Sequence, residues 1–200
     1  MYKKKLLSFA LLGVCSIVLS ACAGSTDSKK DTSSSSSSAK SEVVLKNTEL
    51  RNKFNSIKVG DIMDSGNGGS TLDEVKKSLG KPTKFQGTSA KTGTWTKNGV
   101  TIMLHFVDDK VVTKDLSGFK FGKREEKLTL DAFNQIQTGA SYDEIIKNYG
   151  EPDNLNELVI SGETKITAIW LTGIKGNSYA NATLKFTNGQ LTSKTQSELK

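Results

Sequence analysis

Phe54-Asn55-Ser56-Ile57-Lys58-Val59-Gly60 recurs as Phe133-Asn134-Gln135-Ile136-Gln137-Thr138-Gly139, and this pair of stretches decides how the rest of the chain is read. Self-similarity has to be followed along a whole chain before elements are assigned. Here it extends outward in both directions. Thr71-Leu72-Asp73-Glu74-Val75, with Leu79-Gly80-Lys81-Pro82 behind it, recurs as Ser141-Tyr142-Asp143-Glu144-Ile145 with Tyr149-Gly150-Glu151-Pro152. Trp95 answers Trp170. Leu104-His105-Phe106 and the segment to Lys114 answer Leu184-Lys185-Phe186 and the segment to Lys194.

Each copy has a local physical logic. Leu50, Phe54 and Ile57, like Leu130, Phe133 and Ile136, recur at helical spacing and predict a first short amphipathic helix. Thr71 with Glu74, and Ser141 with Glu144, have the spacing of a capping box, in which hydroxyl and carboxylate each satisfy a backbone amide at a helix start. Val75 and Leu79, and Ile145 and Tyr149, supply the buried stripe of that second helix. Gly80 and Gly150 can close it, and Pro82 and Pro152 prevent its continuation. Alternating runs follow, divided by Asn98-Gly99, Asp108-Asp109, Ser161-Gly162 and Asn188-Gly189, which are hairpin signals.

The expectation is an α+β fold made of two helix-helix-four-stranded antiparallel units. They span residues 46–119 and 128–200, with a charged linker over 120–127. Units of about 70 residues bury a low fraction of their surface, so packing the two together would help. The first copy carries about nine more residues between its helices, around 61–70, and loops that differ on a shared scaffold often carry function.

The N-terminus predicts location. Met1-Tyr2-Lys3-Lys4-Lys5 and the apolar stretch Leu6–Leu19 form a signal peptide over 1–21, too short to span a bilayer comfortably. Leu19-Ser20-Ala21-Cys22 resembles the bacterial lipobox, which implies lipidation of Cys22 and a lipid anchor on the extracellular face of the membrane of a Gram-positive bacterium. Cys15 leaves with the signal, so the mature chain has one thiol and no intramolecular disulfide. Two acyl chains hold a protein on a bilayer where one is marginal. Residues 22–45, with the run Ser33–Ser38, cannot bury enough apolar surface to fold and read as a tether with a reach of about 25 Å.

The whole chain has 28 basic and 21 acidic residues, a net charge of +7. Losing residues 1–21 removes three lysines and no acids, which leaves +4. That excess is spread along the chain without an arginine-rich block, which argues against a nucleic-acid partner.

On the twice-written Phe-Asn-x-Ile-x-x-Gly, the capped Asp-Glu helix ending in Gly-x-Pro, the tryptophan strand and the final Phe hairpin, residues 46–200 resemble the beta-lactamase inhibitor protein family and its Gram-positive lipoprotein relatives. The single copy is also similar to small outer-membrane assembly lipoproteins. The resemblance implies a concave, aromatic-rich sheet surface that grips a class A beta-lactamase, with a loop aspartate entering the active site. This chain departs from that pattern in having no disulfide and in reading Lys97-Asn98-Gly99 at the corresponding turn, without an acid.

No catalytic constellation, metal site or cofactor is expected. His105 is the one histidine, and nucleophilic catalysis needs a nucleophile, a base and an orienting group in contact. Asp108-Asp109 and Glu125-Glu126 read as solvated turn and linker carboxylates. The loop Asp61-Ile62-Met63-Asp64-Ser65-Gly66-Asn67 breaks the alternation of a calcium loop at Ile62 and Met63. The expected function is a membrane-anchored, non-catalytic module for an envelope or extracellular protein partner, with inhibition of an extracellular hydrolase and envelope assembly as alternatives. The expected binding surface is Trp95, Met103, His105, Trp170 and Tyr179, residue types that anchor interfaces. A strand register slipped by one residue would send the tryptophans into the core.

Overall fold

The computed structural model describes residues 47–119 and 121–200. Cys22, the signal segment and the tether lie outside them.

Helix α1 covers residues 47–56, and a single 3-10 turn, Ile62–Asp64, follows it. The next elements are α2 (Leu72–Leu79), β1 (Lys84–Gln86), β2 (Ala90–Lys97), β3 (Val100–Val107) and β4 (Lys110–Ser117). Beyond them come α3 (Leu130–Gln135), α4 (Tyr142–Tyr149), β5 (Asn154–Ile160), β6 (Glu163–Trp170), β7 (Gly176–Thr187) and β8 (Gln190–Leu199).

Local chemistry explains most boundaries. Thr71 Oγ1 accepts from the Glu74 amide at 3.3 Å and Glu74 Oε2 accepts from the Thr71 amide at 2.8 Å, so the capping box of α2 is formed. The box expected at Ser141 and Glu144 is not, because the Ser141 side chain makes no capping hydrogen bond. Thr129 instead caps α3, accepting from the Ala132 amide. All four hairpin turns have positive φ at both central residues, from Asn98 (52°) and Gly99 (78°) to Asn188 (51°) and Gly189 (75°). That is the I′ geometry whose twist matches the flanking strands.

The expectation of a tandem repeat of two helix-helix-four-stranded units is overturned, because the strands do not divide into two sheets. The strands form one antiparallel sheet of eight in sequence order. The join is β4 to β5, where Thr113, Lys114, Asp115 and Leu116 pair with Leu158, Glu157, Asn156 and Leu155. Closing this seam removes two open strand edges, which are association hazards, and lets two small cores become one. Lys114 is 5% exposed, and Glu157 reaches its Nζ at 3.1 Å while Ile57 O accepts from it at 2.9 Å. A lysine at the C-terminal end of α1 also complements the helix dipole.

Residues between the two halves reinforce the seam. Phe119 and Phe121 meet edge to face at 4.6 Å, and the Arg124 guanidinium stacks over Phe121 at 4.2 Å. Arg51, 2% exposed, donates to Pro152 O at 2.8 Å and pairs with Glu151 at 3.2 Å. Asp153 is fully buried and accepts from the Leu171 and Thr172 amides, Thr172 Oγ1 and Arg124 Nη2. Burial pulls the pKa of Arg124 down, and Asp153 opposes that shift.

Candidate binding surface

The helices contribute Phe54, Val75, Phe133 and Ile145 to a core built on one face of the sheet, over Ile102, Leu104, Phe106, Ala168, Leu184 and Phe186. Trp95 and Trp170 belong to that face. Trp95 pairs with Ile102 and Trp170 with Ala182. They are 6% and 0% exposed, and each indole Nε1 donates at 2.9 Å to the glycine carbonyl that closes a helix, Gly80 O and Gly150 O respectively. A Cβ on Gly93 would lie 2.6 Å from the Trp95 ring, so the glycine makes room for the indole. Both tryptophans are therefore withdrawn from the expected binding surface. A buried indole needs a partner for its N–H, and the helix-end carbonyl supplies one.

The opposite face is not covered by any helix among the described residues. Its central row runs across six strands through directly paired residues: Thr94, Met103, Asp115, Asn156, Thr167 and Lys185. The adjacent row is Thr92, His105, Thr113, Leu158, Lys165 and Thr187. Met103 and His105 are thus neighbours on this face, both half-buried. His105 Nδ1 lies 3.0 Å from Thr92 Oγ1, and Asn156 Nδ2 donates to Asp115 Oδ1 at 2.6 Å across the seam. Tyr179 is 82% exposed but lies on the irregular start of β7, four strands from β3 and so roughly 19 Å away at 4.7–4.9 Å per strand. The structure brings two of the five predicted residues together.

Asp115, Asn156 and Leu158 escaped the sequence reading. Their alternation is legible in the strands, but their place beside Met103 and His105 depends on β5 pairing with β4. That pairing has no local signal.

The chemistry elsewhere is not convergent. Asp109 pairs with Lys91 at 2.6 Å and Glu125 with Lys127 at 3.3 Å, both at the surface. Among the described residues, no group of three His, Cys, Asp or Glu is placed to hold a metal ion. The Asp61 carboxylate accepts from the amides of Met63 (2.8 Å), Ser161 (3.1 Å) and Gly162 (2.5 Å). These donors, Met63 first, hold its carboxyl below the usual range against a smaller opposing effect of burial. The extra loop of the first half is thus tied to the β5–β6 turn through Asp61. A groove of about 440 Å³ lies on the helix side, lined by Ser56, Gly69, Ser70, Glu74 and Ser78 among others, and its one carboxylate, Glu74, accepts from the Thr71 amide in the cap of α2.

Residues 46–199 match the family described as "Domain of Unknown Function with solved-structure structure (DUF3862)". The crystal structure of a "putative beta-lactamase inhibitor protein" from Streptococcus mutans is 31% identical, with a TM-score of 0.68, over 77% of this chain and 98% of that one. An extracellular protein containing a SCP domain from Bacillus anthracis str. Ames matches at 10% identity and a TM-score of 0.26, over 70% of this chain and 46% of its own. A cysteine-rich secretory protein from Staphylococcus aureus matches at 11% identity and a TM-score of 0.27, over 66% and 44%. No curated protein matches the chain.

Proposed function

We propose that this chain, which belongs to the DUF3862 family of domains of unknown function, is a non-catalytic protein-binding module that presents its open sheet face outside a cell membrane. The observation that carries this reading is the uncovered face itself. Seven strand spacings of about 4.8 Å and roughly 24 Å of strand length give a face of about 800 Å², one partner's share of a standard interface. Threonine and asparagine offer hydrogen bonds across it, and Met103, His105 and Leu158 offer apolar contact near its middle. In this reading a lipid on Cys22 tethers the module, which raises its effective concentration for membrane-proximal partners without any new contact.

Crosslinking and mass spectrometry on intact cells test it. Crosslinks to a partner should form from Lys165 and Lys185 on the open face and disappear with Met103→Arg. Partner crosslinks confined to Lys76, Lys77 and Lys147 on the helices would refute it. Cys22→Ala should release the protein into the medium with its melting temperature unchanged.

The second reading, inhibition of a beta-lactamase, draws on the identity shared with the Streptococcus mutans protein. Its difficulty is the β2–β3 turn, where Lys97, Asn98 and Gly99 carry no acid or aromatic group to plug a catalytic pocket. Full activity of a panel of class A beta-lactamases in micromolar protein would remove this reading and leave the first intact.

A further inference from the structure

The two ends of the sheet differ, and the seam in its middle shows what the longer end can hold. Each of β4 and β8 begins with its outer edge tied to a loop: Val111 exchanges backbone hydrogen bonds with Ser70 and Gly60, and Leu191 with Ala140 and Gly139. Beyond that point β4 takes β5 as its neighbour, whereas β8 pairs only with β7. At the far end of β8, Glu198 turns to a φ of 57° and Lys200 O accepts from Leu130. Ser193–Ser197 are left as a regular run whose outer edge pairs with nothing among the described residues.

Lys194 adds a chemical requirement to this geometry. Like Lys114, it turns inward beneath a short helix, over the Phe133 ring at 4.7 Å, and donates to Phe133 O and Asn134 O. Lys114 makes equivalent contacts with the end of α1, and its directly paired neighbour on the added strand is Glu157. No carboxylate among the described residues faces Lys194.

We propose that the β8 edge at Ser193–Ser197 accepts one antiparallel strand from a partner protein, an extended segment with a carboxylate facing Lys194, in the register in which β4 holds β5. Strand addition draws affinity from main-chain hydrogen bonds and specificity from alternate side chains, and here the specifying contact is a charge pair. A second copy of this chain fits poorly. Its open edge β1 is three residues long, carries no acid and ends at Gly87 with φ of 96°. The one acid on its β8, Glu198, sits where that strand kinks and is held by Asn177. The proposal goes beyond the open-face reading, since it uses the edge of the sheet, and it stands whether or not the face binds.

The test uses the full chain and a fluorescein-labelled peptide copying Asn154–Ile160, with a second peptide carrying Glu157→Gln. Anisotropy should show the first peptide binding about tenfold more tightly, as expected for a hydrogen bond to a charged group. Amide exchange should slow at Ser193–Ser197. Equal affinity for the two peptides, or no slowing in β8, would overturn the proposal. Slowing of β8 in the protein alone that grows with its concentration would also overturn it, by assigning the edge to a second copy.

Discussion

Replacing Asp153 with alanine probes the buried polar network that joins the start of β5 to the end of β6 and to Arg124. The carboxylate is fully buried and receives hydrogen bonds from the Leu171 amide at 2.7 Å, the Thr172 amide at 2.8 Å, Thr172 Oγ1 at 2.7 Å and Arg124 Nη2 at 3.1 Å. Removing it strands three neutral donors and leaves Arg124, with 15% of its side chain exposed, without its carboxylate. Arg124 would keep the Glu151 and Thr172 carbonyls as acceptors, each at 2.6 Å, but no carboxylate would balance its charge, and its Nε has no hydrogen-bond partner among the described residues. Breaking a buried ion pair from one side costs about 3–5 kcal/mol. At roughly 2–4 °C per kcal/mol for a domain of this size, the melting temperature should fall by about 6–20 °C. Urea unfolding followed by circular dichroism measures the loss as a lower midpoint at unchanged slope. The double variant Arg124→Met with Asp153→Leu should be milder than the sum of its singles, because no unpaired charge remains. A cost under about 1 kcal/mol for Asp153→Ala, or strict additivity in the double variant, would refute this account of the Asp153 network.

Three further outcomes follow from the same geometry. Trp170→Ala should cost about 3–5 kcal/mol in denaturant unfolding, whereas Met103→Ala and His105→Ala on the open face should each cost less than about 1 kcal/mol; similar losses for all three would contradict the assignment of faces. Thr71→Ala should cost about 1 kcal/mol through loss of a formed cap and Ser141→Ala only a few tenths, so equal effects would show that the two helix starts are alike. For Asp61, the amide donors lower the folded pKa below the unfolded one, so its stabilisation of the loop is present above the ordinary aspartate range near pH ~4 and is lost as pH falls through the folded value. A carboxyl-carbon NMR titration of Asp61, read with the Ser161 and Gly162 amides, should show a common midpoint below that range; a midpoint at or above it would break the link.

How far each feature was legible depended on the range of the interaction that specifies it. The four hairpin turns and the helix-closing glycines were readable because a turn is specified by two adjacent residues and a helix end by a few. The capping box shows where even local reading falters, since Thr71 and Ser141 share a motif and only Thr71 makes the bond. His105 and Met103 were placed together because they alternate on one strand. The tryptophans were misplaced because the side to which a strand residue points changes with a shift of one position, and alternation alone does not say which side the helices cover.

By itself, then, the amino-acid sequence determined the order of helices and strands, their turns and stops, and the expectation of a lipid-anchored chain poor in catalytic groups. These come from short-range backbone and side-chain preferences that act the same in any fold. Tertiary structure alone decided that the strands make one sheet, that both indoles point inward to helix-end carbonyls, and that Asp115, Asn156 and Leu158 join Met103 and His105 on the open face. The indoles turn to helix ends 15 and 20 positions away, and the single sheet with its shared open face rests on the pairing of β4 with β5, between residues about 40 positions apart, and on the burial of Lys114 against Glu157. Contacts so distant in the chain leave no periodic trace in either segment.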